Sequence, residues 1–317
     1  MPTQTEIGKA FEFALLHESY KFLSQNHTVK IVENSPYSVA ENCFKLFSPA
    51  EKTKYTKAAL SAIKHLADLE PKLENPSSPN DVLTLQIVSD AEGIKGDVRD
   101  LLFIRSSHDW EIGVSAKNNH KAVKHSRLSE SIDFGEAWLD LNCGDAYFNS
   151  ILPIFAELRK LKESGELWRN LKDKHKRFYI PVLEAFKTEI LRLDAENINT
   201  VPAKLLSYLI GKKDFYKVIK RTNKTEIYGF NLFGSLNKTS DKIKPNFKVA
   251  KLRLPNRIIE LVFKPSSTDT LILTCDEGWQ ISFRIHNASS RVEPSLKFDI
   301  NLIGQPQTLY AHHLNWQ

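Results

Sequence analysis

Residues Gly96 to Ser129 read GDVRDLLFIRSSHDWEIGVSAKNNHKAVKHSRLS, and their pattern predicts a strand, a turn, a second strand and a helix. Leu101–Ile104 is the first apolar run, Ser106–Asp109 is the turn, and Trp110–Lys117 is the second strand. Side chains alternate across a strand, so one face of the second strand is apolar. The other face carries Glu111, Gly113, Ser115 and Lys117. We therefore expect one face to pack into a core and the other to present a carboxylate, a hydroxyl and an ammonium group.

This hairpin resembles the catalytic hairpin of the PD-(D/E)XK nucleases. The resemblance rests on Asp100 at the head of one strand and Lys117 at the end of its partner. It implies a mixed central sheet flanked by helices, with Asp100 binding Mg²⁺; Asp97 is the second choice. The family usually has another acid two positions before the lysine, where this chain has Ser115. A carboxylate from elsewhere must then complete the metal site.

Glu12 is the first candidate for that missing carboxylate. An apolar helical stripe surrounds it near the amino terminus, and Thr3 with Glu6 predicts a capping box at the helix start. In many PD-(D/E)XK enzymes a helix of the form GxxFE donates a glutamate to the metal, and residues 8–12 read GKAFE. An ordinary solvated glutamate fits the same pattern. Glu111 and Glu130 stay open as alternative replacements.

A longer likeness points to one group of these nucleases. The runs SAKNNHKAVKHSRLS (115–129) and IGKAFEFAL (7–15) resemble HaeIII-type restriction endonucleases. The resemblance implies a homodimeric or monomeric type II endonuclease that cuts double-stranded DNA within the palindrome GGCC. It also implies a cognate DNA methyltransferase that protects the host, and hence a bacterial cytoplasmic protein.

The segment after Lys117 predicts a helix capped by Asn118 or Asn119. His120, Lys124, Arg127 and Ser131 recur at helical spacing and make one polar face. Lys and Arg bind phosphates, while Asn and Arg also bind base edges in the major groove. This face is therefore a candidate DNA contact, although an ordinary surface helix has the same pattern.

The positive charge is concentrated in one stretch. The 317 residues carry a net charge of +6, but residues 212–253 alone hold twelve Lys and Arg against three Asp and Glu, or +9. A basic stretch on an otherwise slightly acidic chain is typical of proteins that bind polyanions. Helical patterns give way to short strands near residue 211. We therefore expect a nuclease core with a helical insertion at 1–211 and a β-rich, basic, DNA-contacting subdomain at 212–317. Its candidate contacts are Lys212, Lys213 and Lys217.

Composition and motifs exclude several other classes. No apolar run approaches the roughly 20 residues that span a bilayer, and the amino terminus lacks the pattern of a signal peptide. Three separated cysteines predict a reducing compartment rather than a disulfide framework. There is no CxxC or HxxxH pair for zinc, no phosphate-binding loop and no GxSxG turn.

The predicted reaction is Mg²⁺-dependent hydrolysis of a DNA phosphodiester. In it, Asp100, Glu12 and, as the family implies, the carbonyl oxygen of Ala116 hold the metal, while Lys117 positions water and stabilises negative charge. Two rivals remain open: another PD-(D/E)XK repair or junction nuclease, and a non-catalytic DNA-binding protein with a decayed nuclease core. Ser115 motivates the second rival.

Overall fold

The computed structural model describes residues 2–89, 97–119, 126–241 and 243–316, and it has a mixed α/β fold. The helices are α1 (Gln4–Leu23), α2 (Ser35–Lys45), α3 (Pro49–Leu69), α4 (Phe134–Leu139), α5 (Asp145–Glu163), α6 (Ile180–Glu196) and α7 (Val201–Ile210). The strands are β1 (Val29–Ile31), β2 (Leu83–Ile87), β3 (Leu101–Arg105), β4 (Trp110–Asn118), β5 (Arg127–Leu128), β6 (Phe215–Lys220), β7 (Lys224–Phe230), β8 (Ile258–Phe263), β9 (Thr270–Cys275), β10 (Gln280–His286), β11 (Leu296–Gly304) and β12 (Tyr310–Asn315). The large mixed sheet and its helices confirm the predicted α/β class.

The chain forms two compact units that do not follow its order. The first unit contains Met1–Lys121, Gly211–Leu252 and Thr308–Gln317, and the second contains Ala122–Ile210 and Arg253–Gln307. The predicted change from helices to short strands near residue 211 therefore falls where the chain passes from the second unit to the first. The functional division into a nuclease core at 1–211 and a DNA-contacting subdomain at 212–317 stays a prediction.

Two long helices of the first unit begin at capping boxes. At α1 the Thr3 backbone N–H donates to Glu6 Oε2 at 2.6 Å, and the Glu6 N–H donates back to the Thr3 hydroxyl at 3.3 Å. Ser48 and Glu51 make the same reciprocal pair at the start of α3, where Pro49 occupies the first turn. These side chains satisfy backbone N–H groups that have no partner within the helix. Both starts agree with the sequence pattern.

A seven-stranded mixed sheet organises the first unit. Its strand order is β1-β2-β3-β4-β6-β7-β12. The β1–β2 and β4–β6 pairs are parallel, and the remaining pairs are antiparallel. Helices α1 and α3 pack with this sheet around a core that includes Phe11, Leu15 and Val114, all fully buried. The helix that carries Glu12 is thus fixed against the hairpin that carries Lys117.

The second unit has its own antiparallel sheet of order β5-β11-β10-β9-β8. Its core contains aromatic rings from helix and strand, with Phe186 4.8 Å from Phe134 and 5.2 Å from Phe298 between ring centroids. Such ring pairs stabilise the core beyond the effect of the apolar area that each ring buries. This unit therefore has an independent hydrophobic core.

Several local predictions are wrong, because tertiary contacts decide the local structure. Val249–Leu254 lies in the region where short strands are predicted, but it is irregular and joins the fold through single bonds such as Leu252 N–H to the Asn231 carbonyl at 2.8 Å. The helix expected from Asn118 to Ser131 is wrong at both described ends. Asn118 lies in β4, and Arg127 lies in β5, where it pairs with Lys297 of β11. Residues 120–125 lie outside the described part of the chain.

Among the helices of the described residues, none is both long and apolar enough to cross a lipid bilayer.

Candidate active site

The β3–β4 hairpin brings Asp100 and Lys117 together. Leu101 pairs with Val114 in the antiparallel register, and the Asp100 N–H donates to the Val114 carbonyl at 2.8 Å. This extends the pairing by one residue and sets Asp100 opposite Ser115. The Lys117 ammonium then reaches Asp100 Oδ2 at 2.9 Å. The predicted closeness of these two groups is present in the structure.

One oxygen of Asp100 accepts three hydrogen bonds. Besides Lys117, the Ala116 N–H donates to Oδ2 at 2.7 Å and the Ser115 hydroxyl at 3.1 Å. Within the described residues, Oδ1 accepts none of the recorded bonds, so it keeps its lone pairs for another ligand. The Asp100 side chain is 21% exposed and that of Lys117 is 33% exposed. Both side chains are therefore partly accessible to solvent.

Glu12 belongs to the same electrostatic site. Its side chain is buried in α1, with 6% of the residue exposed, and Lys9 donates to its Oε2 at 3.1 Å. Burial and the negative charge of Asp100 raise the pKa of Glu12 to about 7, against the opposing effects of Lys9 and Lys117. Burial alone would lower the pKa of Lys117, but the charge and hydrogen bond of Asp100, with Glu12 behind them, raise it. Lys117 is thus a cation beside two acids.

Ser115 takes the place where the resemblance leads one to expect an acid. It is buried, and its hydroxyl donates to Asp100 rather than offering a second carboxylate. The Ala116 N–H also donates to Asp100. The predicted role of the Ala116 carbonyl oxygen as a metal ligand stays a prediction.

Asp97 and Glu111 lie in a neighbouring network centred on Arg99. The Arg99 guanidinium donates to both Asp97 oxygens, at 2.8 and 2.6 Å, and to Glu111 Oε1 at 2.8 Å. Glu111 also pairs with Lys213 at 2.9 Å. Although burial opposes ionisation, these bonds and charges lower the pKa values of both carboxyl groups. Both acids are therefore committed to cations, and neither is bonded into the Asp100–Lys117 group.

Gly113 makes room for this network. A Cβ at position 113 would lie 2.0 Å from Arg99 Cδ and 2.5 Å from Cγ. Arg99 belongs to no motif that the sequence alone reveals, and its one signal is this glycine inside a strand, which often marks a close approach by another group. Arg99 immediately precedes Asp100, so the network fixes the chain next to the candidate metal ligand.

The predicted DNA contacts occupy different environments. Asn118 accepts a bond from Lys220 at 3.3 Å, and Asn119 is exposed with a φ of 58°. Arg127 contacts Glu293 and Ser295 in the second unit. Lys212 and Lys213 are exposed, whereas Lys217 is buried beside Ser115 in the β4–β6 register. His120 and Lys124 lie outside the described residues. Glu130, the alternative acid, pairs with Arg159 in the second unit.

A divalent cation fits the two carboxylates of the site. In the described ranges, no group of three or more His, Cys, Asp or Glu side chains gathers as a complete metal cage. Mg²⁺ does not need one, because it is usually held by one or two carboxylates together with water and substrate phosphate oxygens. Burial and, second, the negative charge of Asp100 raise the pKa of Glu12, and a bound cation would offset that negative charge. The donor set therefore suits Mg²⁺ in the presence of a phosphate.

A basic cleft lies elsewhere on the first unit, with a volume of about 470 Å³. Its basic side chains are Lys72, Arg99, Lys212, Lys213 and Lys238. Trp110 and Glu111, at the start of β4, form part of its wall. The cleft is therefore near the opposite end of β4 from Lys117.

Comparisons with known proteins agree over nearly the whole chain. Residues 8–306 match the family model described as HaeIII restriction endonuclease. The type II restriction enzyme HaeIII of Haemophilus aegyptius is 45% identical over 312 residues, which cover 98% of this chain and 97% of that enzyme. No solved structure matches.

Proposed function

The chain belongs to the HaeIII restriction endonuclease family, and from this membership we propose that it is a type II restriction endonuclease. It hydrolyses phosphodiester bonds of double-stranded DNA at a short palindrome, and GGCC is the sequence that the family implies. The reaction adds the oxygen of water to phosphorus, breaks one ester P–O bond and leaves a phosphate end and a hydroxyl end.

The observation that carries the catalytic proposal is the contact of Lys117 with Asp100 beside buried Glu12. These three residues fill the roles of a PD-(D/E)XK site. The antiparallel β2-β3-β4 strands, the parallel β4–β6 pair and the packed helix α1 support the same core. Because Glu12 supplies a carboxylate from the helix, Ser115 does not have to be an acid.

Asp100 and Glu12 would hold Mg²⁺, with the Ala116 carbonyl as a further oxygen donor. When bound, the divalent cation makes water more acidic and offsets the negative charge that develops on the phosphate oxygens. Ser115 and the Ala116 N–H hold Asp100 Oδ2 in place. That arrangement would leave the other carboxylate oxygen of Asp100 for the cation.

Lys117 acts as the fixed positive charge of the site. The charge and hydrogen bond of Asp100 raise the pKa of Lys117 against the effect of burial, which favours the ammonium form. In that form Lys117 donates hydrogen bonds, orients water and stabilises the phosphate in the transition state. Asp97 and Glu111 support the site through Arg99.

The remaining proposals concern recognition and biology. Asn118, Asn119 and the basic stretch 212–253 are candidate DNA contacts, and Arg and Lys are the usual donors to guanine edges. A palindrome is most simply read by a two-fold dimer, although a monomer stays open. The family also implies a methyltransferase partner in the bacterial cytoplasm.

A plasmid cleavage assay tests the function. Incubation with Mg²⁺ should yield discrete fragments, and Lys117→Ala or Asp100→Ala should slow cutting by roughly 100- to 1,000-fold, the usual effect of removing a group that stabilises the transition state. Both variants should still shift DNA in a gel. Lys64→Ala, which removes an exposed lysine from α3, is the matched control.

The alternative functions give different results in that assay. Structure-selective nicking would indicate a repair or junction nuclease, and a gel shift without cutting would indicate a decayed core. If Lys117→Ala or Asp100→Ala cuts at the rate of the unaltered protein, the proposed catalytic roles are wrong.

A further inference from the structure

The basic cleft has a charge arrangement that the catalytic site does not explain. Five basic side chains line it, together with the carboxylates of Asp109, Glu111 and Asp214. Glu111 is already bonded to Arg99 and Lys213. Within the described residues, the ammonium groups of Lys72, Lys212 and Lys238 form no recorded ion pair. Three like charges thus surround a concave space in which exposed Asp109 is the only uncommitted acid among the described lining residues.

The wall of the cleft is held in place by Asp214. This buried carboxylate accepts bonds from the Phe233 N–H at 2.8 Å and from the Ser235 N–H at 2.6 Å, and a further bond from the Ser235 hydroxyl at 2.9 Å. Both carboxylate oxygens of Asp214 are therefore hydrogen-bonded to the loop. The loop therefore presents Phe233 in a defined position.

Phe233 is an aromatic ring left in solvent beside lysines. It is 49% exposed and lines the same cleft. Lysines beside an exposed apolar ring suit a nucleic-acid strand, whose phosphates bind cations and whose sugars and bases offer apolar surface. An isolated small anion would use the lysines but not the ring.

The cleft extends from Arg99, which is next to Asp100 in the chain, toward the end of the hairpin that is far from Lys117. Glu111 is six residues before Lys117 in β4, which corresponds to about 20 Å at the rise of a strand. Lys72 is near the far end of β3, because its carbonyl accepts a bond from Arg105 Nε at 2.6 Å. At about 3.4 Å for each base pair, 20 Å is roughly six base pairs of duplex.

We propose that this cleft binds backbone phosphates of DNA outside the four-base-pair recognition sequence. Lys72, Lys212 and Lys238 contact the phosphates, and Phe233 packs against the neighbouring sugar or base. The inference rests on the proposed function, since it takes the scissile phosphate to lie at Lys117. These contacts strengthen binding to the flanking DNA and do not depend on its base sequence.

The test measures binding against the length of the flanks. Two duplexes contain a central GGCC, one with about three flanking base pairs on each side and one with about ten. Binding is measured without divalent metal, so that no strand is cut. The unaltered protein should bind the longer duplex more tightly. The triple variant Lys72→Gln, Lys212→Gln, Lys238→Gln should lose this preference, and its slope of log affinity against log salt should fall by about 3 on the longer duplex.

A second triple variant controls for the change in total charge. Lys30→Gln, Lys54→Gln, Lys64→Gln removes three exposed lysines of the first unit that neither line the cleft nor lie in the basic stretch 212–253. It should keep the preference for the longer duplex. Equal unfolding temperatures for both variants and the unaltered protein establish that each is folded.

The outcomes separate this inference from the proposed function. If the cleft variant keeps the flank preference and the salt slope, or the control variant loses them equally, the cleft inference is wrong while plasmid cutting stands. If the unaltered protein binds neither duplex and cuts no plasmid, the proposed function is wrong and the inference fails with it.

Discussion

Gly113→Ala should damage the fold at the network that supports Asp100. The new Cβ would lie 2.0, 2.5 and 2.9 Å from Arg99 Cδ, Cγ and Cβ. These atoms are the base of the side chain, so moving its flexible end does not relieve the clash. Arg99 must rotate away, and its buried guanidinium then loses Asp97 and Glu111.

The expected loss of stability combines two costs, the steric clash and the broken ion pairs of Arg99. Overpacking a core costs about 1–3 kcal/mol, and breaking a buried ion pair costs about 3–5 kcal/mol. The Glu111 carboxylate is partly exposed and keeps Lys213 as a partner, which moderates the second cost. We therefore expect the free energy of unfolding to fall by about 3 kcal/mol.

Denaturant unfolding measures this effect, and Gly8→Ala is the control. No atom lies within 4 Å of a Cβ built at Gly8, which is inside α1. Alanine should stabilise that helix by about 0.5–1 kcal/mol. The double variant Arg99→Ala, Gly113→Ala should lose less stability than the sum of its single variants, because the clash is then absent. Strict additivity, or a Gly113→Ala protein within about 0.5 kcal/mol of the unaltered one, would refute the reasoning.

Two further predictions concern buried acids. Glu12→Gln keeps the shape of the side chain and removes a charge whose pKa is raised to about 7. We expect this variant to have a higher unfolding temperature at pH 8 and to cut DNA more slowly. A variant that cuts DNA as fast as the unaltered protein and unfolds at the same temperature would contradict the proposed role of Glu12. Burial likewise raises the pKa of Glu70 to about 7 from 4.5, although Tyr216 donates to it at 2.7 Å. The folded state then holds a proton that the unfolded state has lost, so the contribution of Glu70 to stability falls by about 3 kcal/mol as the pH rises from 4.5 through 7. In unfolding curves across this range Glu70→Gln should lack that fall while Glu33→Gln, an exposed control, retains it; parallel curves for all three proteins would disprove the assignment.

The sequence predicted the features that depend on neighbouring residues. The predicted capping box at Thr3 sets the start of α1 through contacts within four residues. The alternation in residues 110–117 likewise predicts β4, and the hairpin then brings Asp100 to Lys117 because a short turn joins their strands. These parts needed no knowledge of distant segments.

The features that escaped prediction depend on residues far apart in the chain. Arg127 joins a sheet only because β11 lies beside it, and the irregular segment at Val249 is held by Asn231. Residues 310–315 form β12 only because β7 lies beside them. Arg99 has no motif of its own, since its role comes from acids at positions 97 and 111 together with the space above Gly113.

Strand β12 has a consequence for how the protein is made. It pairs with β7 along six residues, from Tyr310 with Gly229 to Asn315 with Lys224. A nascent chain on the ribosome has no such partner for β7, whose open edge can pair with other polypeptides. The sheet that bears the candidate site is therefore completed only after residue 315 has been synthesised, and until then the edge of β7 needs protection from other strands.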